Sequence, residues 1–86
     1  MNTQLPAQSN LDKFTQALEL AYVDLFANNP EYAYSASRTT PQALASKMAS
    51  CLVTGDANKY GEGIRRACKA CGIKQTYKAI SAFLQA

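Results

Sequence analysis

The chain contains no histidine and no tryptophan, and it has only three prolines and four glycines in 86 residues. Histidine is the side chain whose ordinary pKa lies nearest neutrality, so its absence excludes histidine-based triads and histidine-ligated metal sites. No apolar run approaches the roughly 18 residues that a membrane-spanning helix needs. The first ten residues are polar and do not have the pattern of a signal peptide. We therefore expect a cytoplasmic protein.

Catalytic and cofactor-binding signatures are also missing. Gly61 and Gly63 lack the spacing of a phosphate-binding loop, and the six acidic residues are scattered along the chain. A chain of 86 residues builds one small core and leaves no room for a deep substrate cavity. We predict that the protein is not an enzyme and that it has no catalytic residue, metal or cofactor.

Three cysteines, an odd number, favour free thiols in a reducing compartment. Cys68 and Cys71 form a CxxC pair, but a structural zinc ion takes about four ligands and only Cys51 remains. Both sulfurs share an apolar stripe with Ile64. We therefore predict buried core thiols rather than a metal or redox site.

Residue types favour helices over strands. Alanine and leucine account for 23 residues, whereas valine and isoleucine account for only five. Apolar residues also recur three and four positions apart, and no strand-length alternation is present. The sequence predicts an all-α fold: a single compact bundle of four to five short helices over residues 10–86, after a flexible tail over residues 1–9.

Capping residues mark most helix ends. Ser9 and Thr40 are suited to begin helices, and Gly55 and Gly72 to end them. The predicted helices cover residues 10–27, 30–36, 41–54, a fourth that ends at 71, and 74–85. The first includes Tyr22 in its core stripe, and the last has a stripe of Ile73, Tyr77, Ile80 and Leu84.

The start of the fourth helix has two interpretations. Asp56 is placed to cap a helix that begins near residue 57. Gly61 and Gly63, which each weaken a helix by roughly 1 kcal/mol relative to alanine, favour instead a start near Glu62, with the glycines in a loop or at a close helix contact.

Charge is divided unevenly along the chain. Residues 1–58 have a net charge of −2, whereas residues 59–86 carry six basic side chains and one acidic one. Arg65 with Lys69, and Lys74 with Lys78, are like-charged neighbours four positions apart, and folding alone disfavours such pairs. This pattern is typical of a surface that binds a phosphate backbone, although a basic face also serves solubility.

The basic segment resembles a helix-turn-helix, because residues 64–84 contain a helix, a turn at Gly72 and a second helix. Two residues depart from that motif. Tyr77 lies five positions after the glycine, where the motif usually has its next core residue about six positions after it, and Lys74 stands where a capping serine or threonine is common. If the resemblance holds, Gln75 reads a base and Thr76 contacts a base or a phosphate. Lys78 then projects outward from the second helix. The other basic side chains contact the phosphate backbone: Arg65, Arg66, Lys69 and Lys74.

Tyr32 and Tyr34 point to different sides of the short second helix, so at least one is expected to be exposed near Arg38. Because tyrosine is enriched at interfaces, these three residues form a candidate protein-docking patch; the alternative is that both tyrosines close over the edge of the bundle.

Two functions fit these patterns. The first is a small non-enzymatic DNA-binding regulator or accessory protein that uses the basic C-terminal hairpin. The alternative is a protein-interaction module or inhibitor that docks on an acidic or nucleic-acid-handling partner. The last helix is too weakly apolar for membrane-surface binding, and the sequence permits a homodimer without revealing one.

Overall fold

The computed structural model describes residues 9–55 and 61–86, and within these ranges it contains five α-helices and no β-strand. The all-α prediction is therefore confirmed. The tail predicted over residues 1–9 falls almost entirely outside the described residues. The helices are α1 (Asn10–Asn28), α2 (Ala33–Arg38), α3 (Pro41–Thr54), α4 (Glu62–Cys71) and α5 (Tyr77–Leu84), with a 3₁₀ turn at Pro30–Tyr32 between α1 and α2.

Side-chain caps fix the starts of α1 and α3. The Ser9 hydroxyl accepts a hydrogen bond of 3.1 Å from the Asp12 backbone N–H, and the Thr40 hydroxyl accepts one of 3.1 Å from Ala43. Each bond satisfies a backbone donor that has no partner inside the first turn. The two predicted helix starts are confirmed.

Glycines fix the ends of α3 and α4. Gly55 and Gly72 have φ angles of 78° and 70°, in the left-handed region that side chains with a Cβ rarely adopt. After α4, the N–H of Ile73 donates to the Cys68 carbonyl at 3.0 Å. This bond ends α4, and the left-handed conformation of Gly72 turns the chain away from the helix axis. The predicted helix end at Gly72 is confirmed.

Helix α1 is the centre of the molecule, because α3 and α4 both pack along it and α5 contacts both α1 and α3. Every helix contributes to the core except α2. Burying each large apolar side chain stabilises the fold by about 1.5–3 kcal/mol. The largest fully buried side chains are Phe14, Leu18 and Leu25 of α1, Leu52 of α3, Ile64 of α4 and Ile80 of α5.

Helix α4 begins at Glu62, with Gly61 at its N-cap, which agrees with the later of the two predicted starts. Asp56, the alternative cap, lies outside the described residues. Gly63 packs against the ring of Tyr22, which is only 4% exposed. A Cβ built at Gly63 would lie 2.8 Å from Tyr22 Cζ, so this glycine lets α4 approach α1 closely.

Helix α5 begins later than predicted. Its first residue is Tyr77, because the Thr76 hydroxyl accepts a hydrogen bond of 3.1 Å from the Ala79 backbone N–H and so caps the helix. Lys74 is therefore a loop residue and not a first-turn residue. Tyr77 was predicted in the core, but at the first position of the helix it is 39% exposed.

Helices α4 and α5 contact each other only slightly, since each packs mainly on other helices, with α1 common to both. The helix–loop–helix order of residues 62–84 agrees with the sequence prediction. The helix-turn-helix resemblance itself is not confirmed.

Among the described residues, no helix is both long enough and apolar enough to cross a membrane.

We predict that Gly63→Ala destabilises the protein by about 1–2 kcal/mol. Alanine favours a helix by up to about 1 kcal/mol over glycine, but overpacking a buried contact costs about 1–3 kcal/mol. The upper part of that range applies because the new Cβ would lie 2.8 Å from Cζ of a Tyr22 ring that is itself buried. Urea unfolding followed by far-ultraviolet circular dichroism measures the difference.

The matched control is the same substitution in a Tyr22→Leu background, where the ring is absent and the penalty for Gly63→Ala should shrink or reverse. A Gly63→Ala protein as stable as the original chain would show that the helices are not held at this distance by the glycine.

Candidate functional site: the basic C-terminal segment

The two arginines of the basic segment are held by carboxylates. Arg65 donates from Nε and from its NH2 group to the two oxygens of Glu62, at 2.8 Å and 2.6 Å. Arg66 donates from Nε to Glu62 Oε2 at 2.9 Å and from NH1 to Asp24 Oδ2 at 2.6 Å. Two positive and two negative charges thus form one network, which also joins α4 to α1.

The network shifts the titration of its members. The hydrogen bonds from Arg65, and then those from Arg66, lower the pKa of Glu62 from its ordinary value of 4.5 to about 2. Hydrogen bonds from Arg66 and Asn28 lower the pKa of Asp24. The same contacts raise the pKa values of both arginines. Every member is therefore charged across the physiological pH range.

Sequence reasoning missed this network. It paired Arg65 with Lys69 as like charges and did not pair Arg65 or Arg66 with Glu62, although separations of three and four positions on a helix were readable. Asp24 is 42 residues from Arg66 in sequence, and only the packing of α1 on α4 brings them together.

The lysines of the segment differ from the arginines. Lys69 lies in the last turn of α4, Lys74 in the loop that follows, and Lys78 in the first turn of α5; all three are exposed. Within the described part of the chain none of the three forms an ion pair.

Lys13 of α1 lies at the same end of the molecule. Helices α1 and α4 are antiparallel. Tyr22 meets Gly63 near the start of α4 and Asp24 meets Arg66 in its middle, whereas Lys13 lines a surface cleft with Ala70 and Cys71 at its end. The N-terminus of α1 therefore lies at this end as well, and helix N-termini carry partial positive charge. We call Lys69, Lys74 and Lys78, which lie in the last turn of α4 and in the segment that follows it, the lysine end; Lys13 lies beside the end of α4.

The two polar residues that were assigned to base reading lie before α5 and not on it. The Thr76 hydroxyl already accepts the capping hydrogen bond from Ala79. Gln75 is half-buried in the loop of residues 72–76, where the prediction placed it on the outer face of a helix. Neither position matches a side chain that projects from a recognition helix.

The two tyrosines of the candidate docking patch differ in solvent exposure. Tyr32 is half-buried, and its ring packs 6.2 Å from Tyr22 and 6.1 Å from Phe26. Tyr34 is 70% exposed, and the Arg38 guanidinium lies 5.1 Å from its ring centroid. The expectation that at least one tyrosine is exposed is confirmed, and Tyr34 with Arg38 forms an exposed cation–π pair.

The thiols are in apolar surroundings. Cys68 is buried, and burial raises its pKa to about 11. Cys71 is half-buried; burial raises its pKa too, while the nearby Lys13 ammonium opposes that rise. Raised pKa values disfavour the thiolate that metal binding and redox chemistry require. No cluster of three or more metal-ligating side chains occurs in residues 9–55 and 61–86.

No protein-family model, curated protein or solved structure matches this chain.

We predict that Glu62 contributes to stability above about pH 4.5 and that this contribution is lost as the pH falls toward 2. Its pKa is lower in the folded state than in the unfolded chain, so protonation favours unfolding in that window. A Glu62→Gln variant should lose less stability than the original chain between about pH 5 and pH 2.

Carbon-detected NMR titration of the Glu62 carboxyl tests the cause directly. In an Arg65→Ala variant the midpoint of the Glu62 titration should move up toward the ordinary value, because the two hydrogen bonds that Arg65 donates to the carboxylate are removed. An ordinary midpoint in the original chain would contradict the ion-pair network.

Proposed function

We propose that this protein is a small non-enzymatic factor that binds a polyanion, and DNA in particular, through the lysine end. The observation that carries the proposal is the separation of charge along the α1–α4 pair. The arginines in the middle of α4 are neutralised by Glu62 and Asp24, whereas Lys69, Lys74 and Lys78, in its last turn and in the segment after it, are exposed and have no ion-pair partner within the described residues.

Phosphate binding suits this arrangement physically. Exposed lysines gain free energy by releasing the counterions of a nucleic acid, and they need no fixed geometry to do so. The partial positive charge at the N-terminus of α5, close to Lys74 and Lys78, acts in the same direction. Such contacts position a protein on DNA without reading its sequence.

The proposal differs in emphasis from the helix-turn-helix hypothesis. It rests on the lysines rather than on Gln75 and Thr76, so it does not require α5 to enter a groove. Sequence-independent binding, as by an accessory protein, is the form of DNA binding that it supports best. A cytoplasmic protein with free thiols would meet its DNA partner directly, and we place it there as part of the same proposal.

The test is fluorescence anisotropy of a labelled DNA duplex at several salt concentrations. Each lysine that contacts a phosphate should contribute about 0.9 to the slope of log affinity against log salt. A variant with Lys69, Lys74 and Lys78 changed to glutamine should therefore lose about 2.7 of that slope and nearly all of its affinity at moderate salt.

The matched control is a variant with Arg65 and Arg66 changed to glutamine, which removes two positive charges that already have carboxylate partners. It should retain most of the binding. Loss of binding in the arginine variant, with retention in the lysine variant, would contradict the proposal.

A second candidate function is docking on an acidic protein, and the exposed Tyr34–Arg38 pair is the observation that favours it. Tyrosine and arginine are the residue types that most often dominate binding energy at interfaces. If the duplex does not bind even at low salt, and polyglutamate does bind and is released by substitution of Tyr34 and Arg38 with serine, protein docking replaces DNA binding.

A further inference from the structure

An open cleft of about 450 Å³ lies between α1, α4 and α5. Ala17, Leu20, Ala70, Cys71 and Phe83 give it apolar walls, and Lys13 and Gln16 also line it. The small side chains at residues 17 and 70 leave the space open. The cleft is wide enough to take a leucine side chain from another molecule.

One of the residues that line this cleft, a leucine of α1, also protrudes from the same face. Leu20 of α1 is 72% exposed, and Val23, three residues further on, is 50% exposed. Contiguous exposed apolar side chains form the kind of surface patch that marks interaction sites on soluble proteins. This face therefore presents both an apolar protrusion and an apolar recess.

The charges along the exposed face of α1 are asymmetric. Lys13 lies in its N-terminal half, and Asp24, about 20° around the helix from Lys13, lies near its C-terminus. The other acidic side chains of α1, Asp12 and Glu19, are about 100° and 120° around the helix from Lys13 and so lie off this face. Two such faces attract one another when the helices are antiparallel, because Lys13 of each copy then meets Asp24 of the other.

We propose that two copies of this chain associate through this face, with their α1 helices antiparallel across a two-fold axis. A two-fold interface requires one surface to complement itself, so that a residue and its recess are both present on each copy. Leu20 of one copy enters the cleft of the other, and the reverse contact forms at the same time.

The Asp24 carboxylate has the capacity for this extra contact. One oxygen accepts from Asn28 at 2.8 Å and the other from Arg66 at 2.6 Å, and each carboxylate oxygen can accept a second donor. Lys13 of the second copy then extends the Arg66–Asp24 pair across the interface. Nucleic-acid binding plays no part in this association.

Sedimentation equilibrium of the full chain, without DNA and from micromolar to millimolar concentration, tests the proposal. The mass should rise with concentration from that of one chain toward that of two. Leu20→Glu should weaken association by at least about tenfold. The matched control is Tyr34→Glu, which changes an equally exposed apolar side chain on α2 and should leave association unchanged.

A mixing experiment tests the antiparallel pairing. Lys13→Glu and Asp24→Lys should each weaken self-association, because each sets like charges opposite one another twice. An equimolar mixture of the two variants should associate again, since both charge pairs are then restored in the mixed dimer. Circular dichroism verifies that each variant is folded.

The proposal is overturned if the original chain has the mass of one copy at every concentration, or if Leu20→Glu and Tyr34→Glu associate equally well. If the original chain dimerises but an equimolar mixture of the two charge variants does not associate, the antiparallel arrangement is also overturned.

Discussion

The packing of α1 against α4 is the constraint on which the other features of this protein depend. Phe14, Leu18 and Leu25 fill the core from α1, and Gly63 allows α4 to approach the Tyr22 ring closely. A side chain at that glycine would push the helices apart. Because the two helices are antiparallel, the same contact decides which charged residues of α1 meet which residues of α4.

That arrangement separates charges that are mixed in the sequence. Asp24 lies opposite Arg66 and, with Glu62, completes a neutral network near the start of α4. Lys13 lies opposite Ala70 and Cys71 near its end, where Lys69, Lys74 and Lys78 follow. The packing of α1 on α4 thus balances the arginines of α4 and leaves the lysines at its end and after it without a carboxylate partner among the described residues, and our proposal of polyanion binding follows from this difference.

Local signals in the sequence were sufficient for the fold class and for most helix ends. The caps at Ser9 and Thr40 and the left-handed glycines Gly55 and Gly72 depend on interactions within a few residues, which a sequence displays directly. The start of α5 was predicted three residues too early, because the capping capacity of Thr76 was overlooked in favour of the apolar stripe. Tyr77 was assigned to the core for the same reason.

The candidate site was less accessible to sequence reasoning. The basic residues at positions 65, 66, 69, 74 and 78 were identified, but their division into paired arginines and lysines without an ion-pair partner among the described residues depends partly on Asp24, which is distant in sequence. Lys13 was not considered, since only the tertiary fold brings α1 to that end. Partial burial of Tyr32 likewise depends on its aromatic packing with Tyr22 and Phe26.

The most direct test of the central claim is an NMR titration of the isotope-labelled protein with a short DNA duplex, read as amide chemical-shift changes along the chain. The account predicts changes concentrated at the end of α4, in residues 72–76 and at the start of α5, with a smaller response at Lys13. Changes concentrated instead around Arg65 and Arg66 or around Tyr34, or no change at low salt, would contradict it.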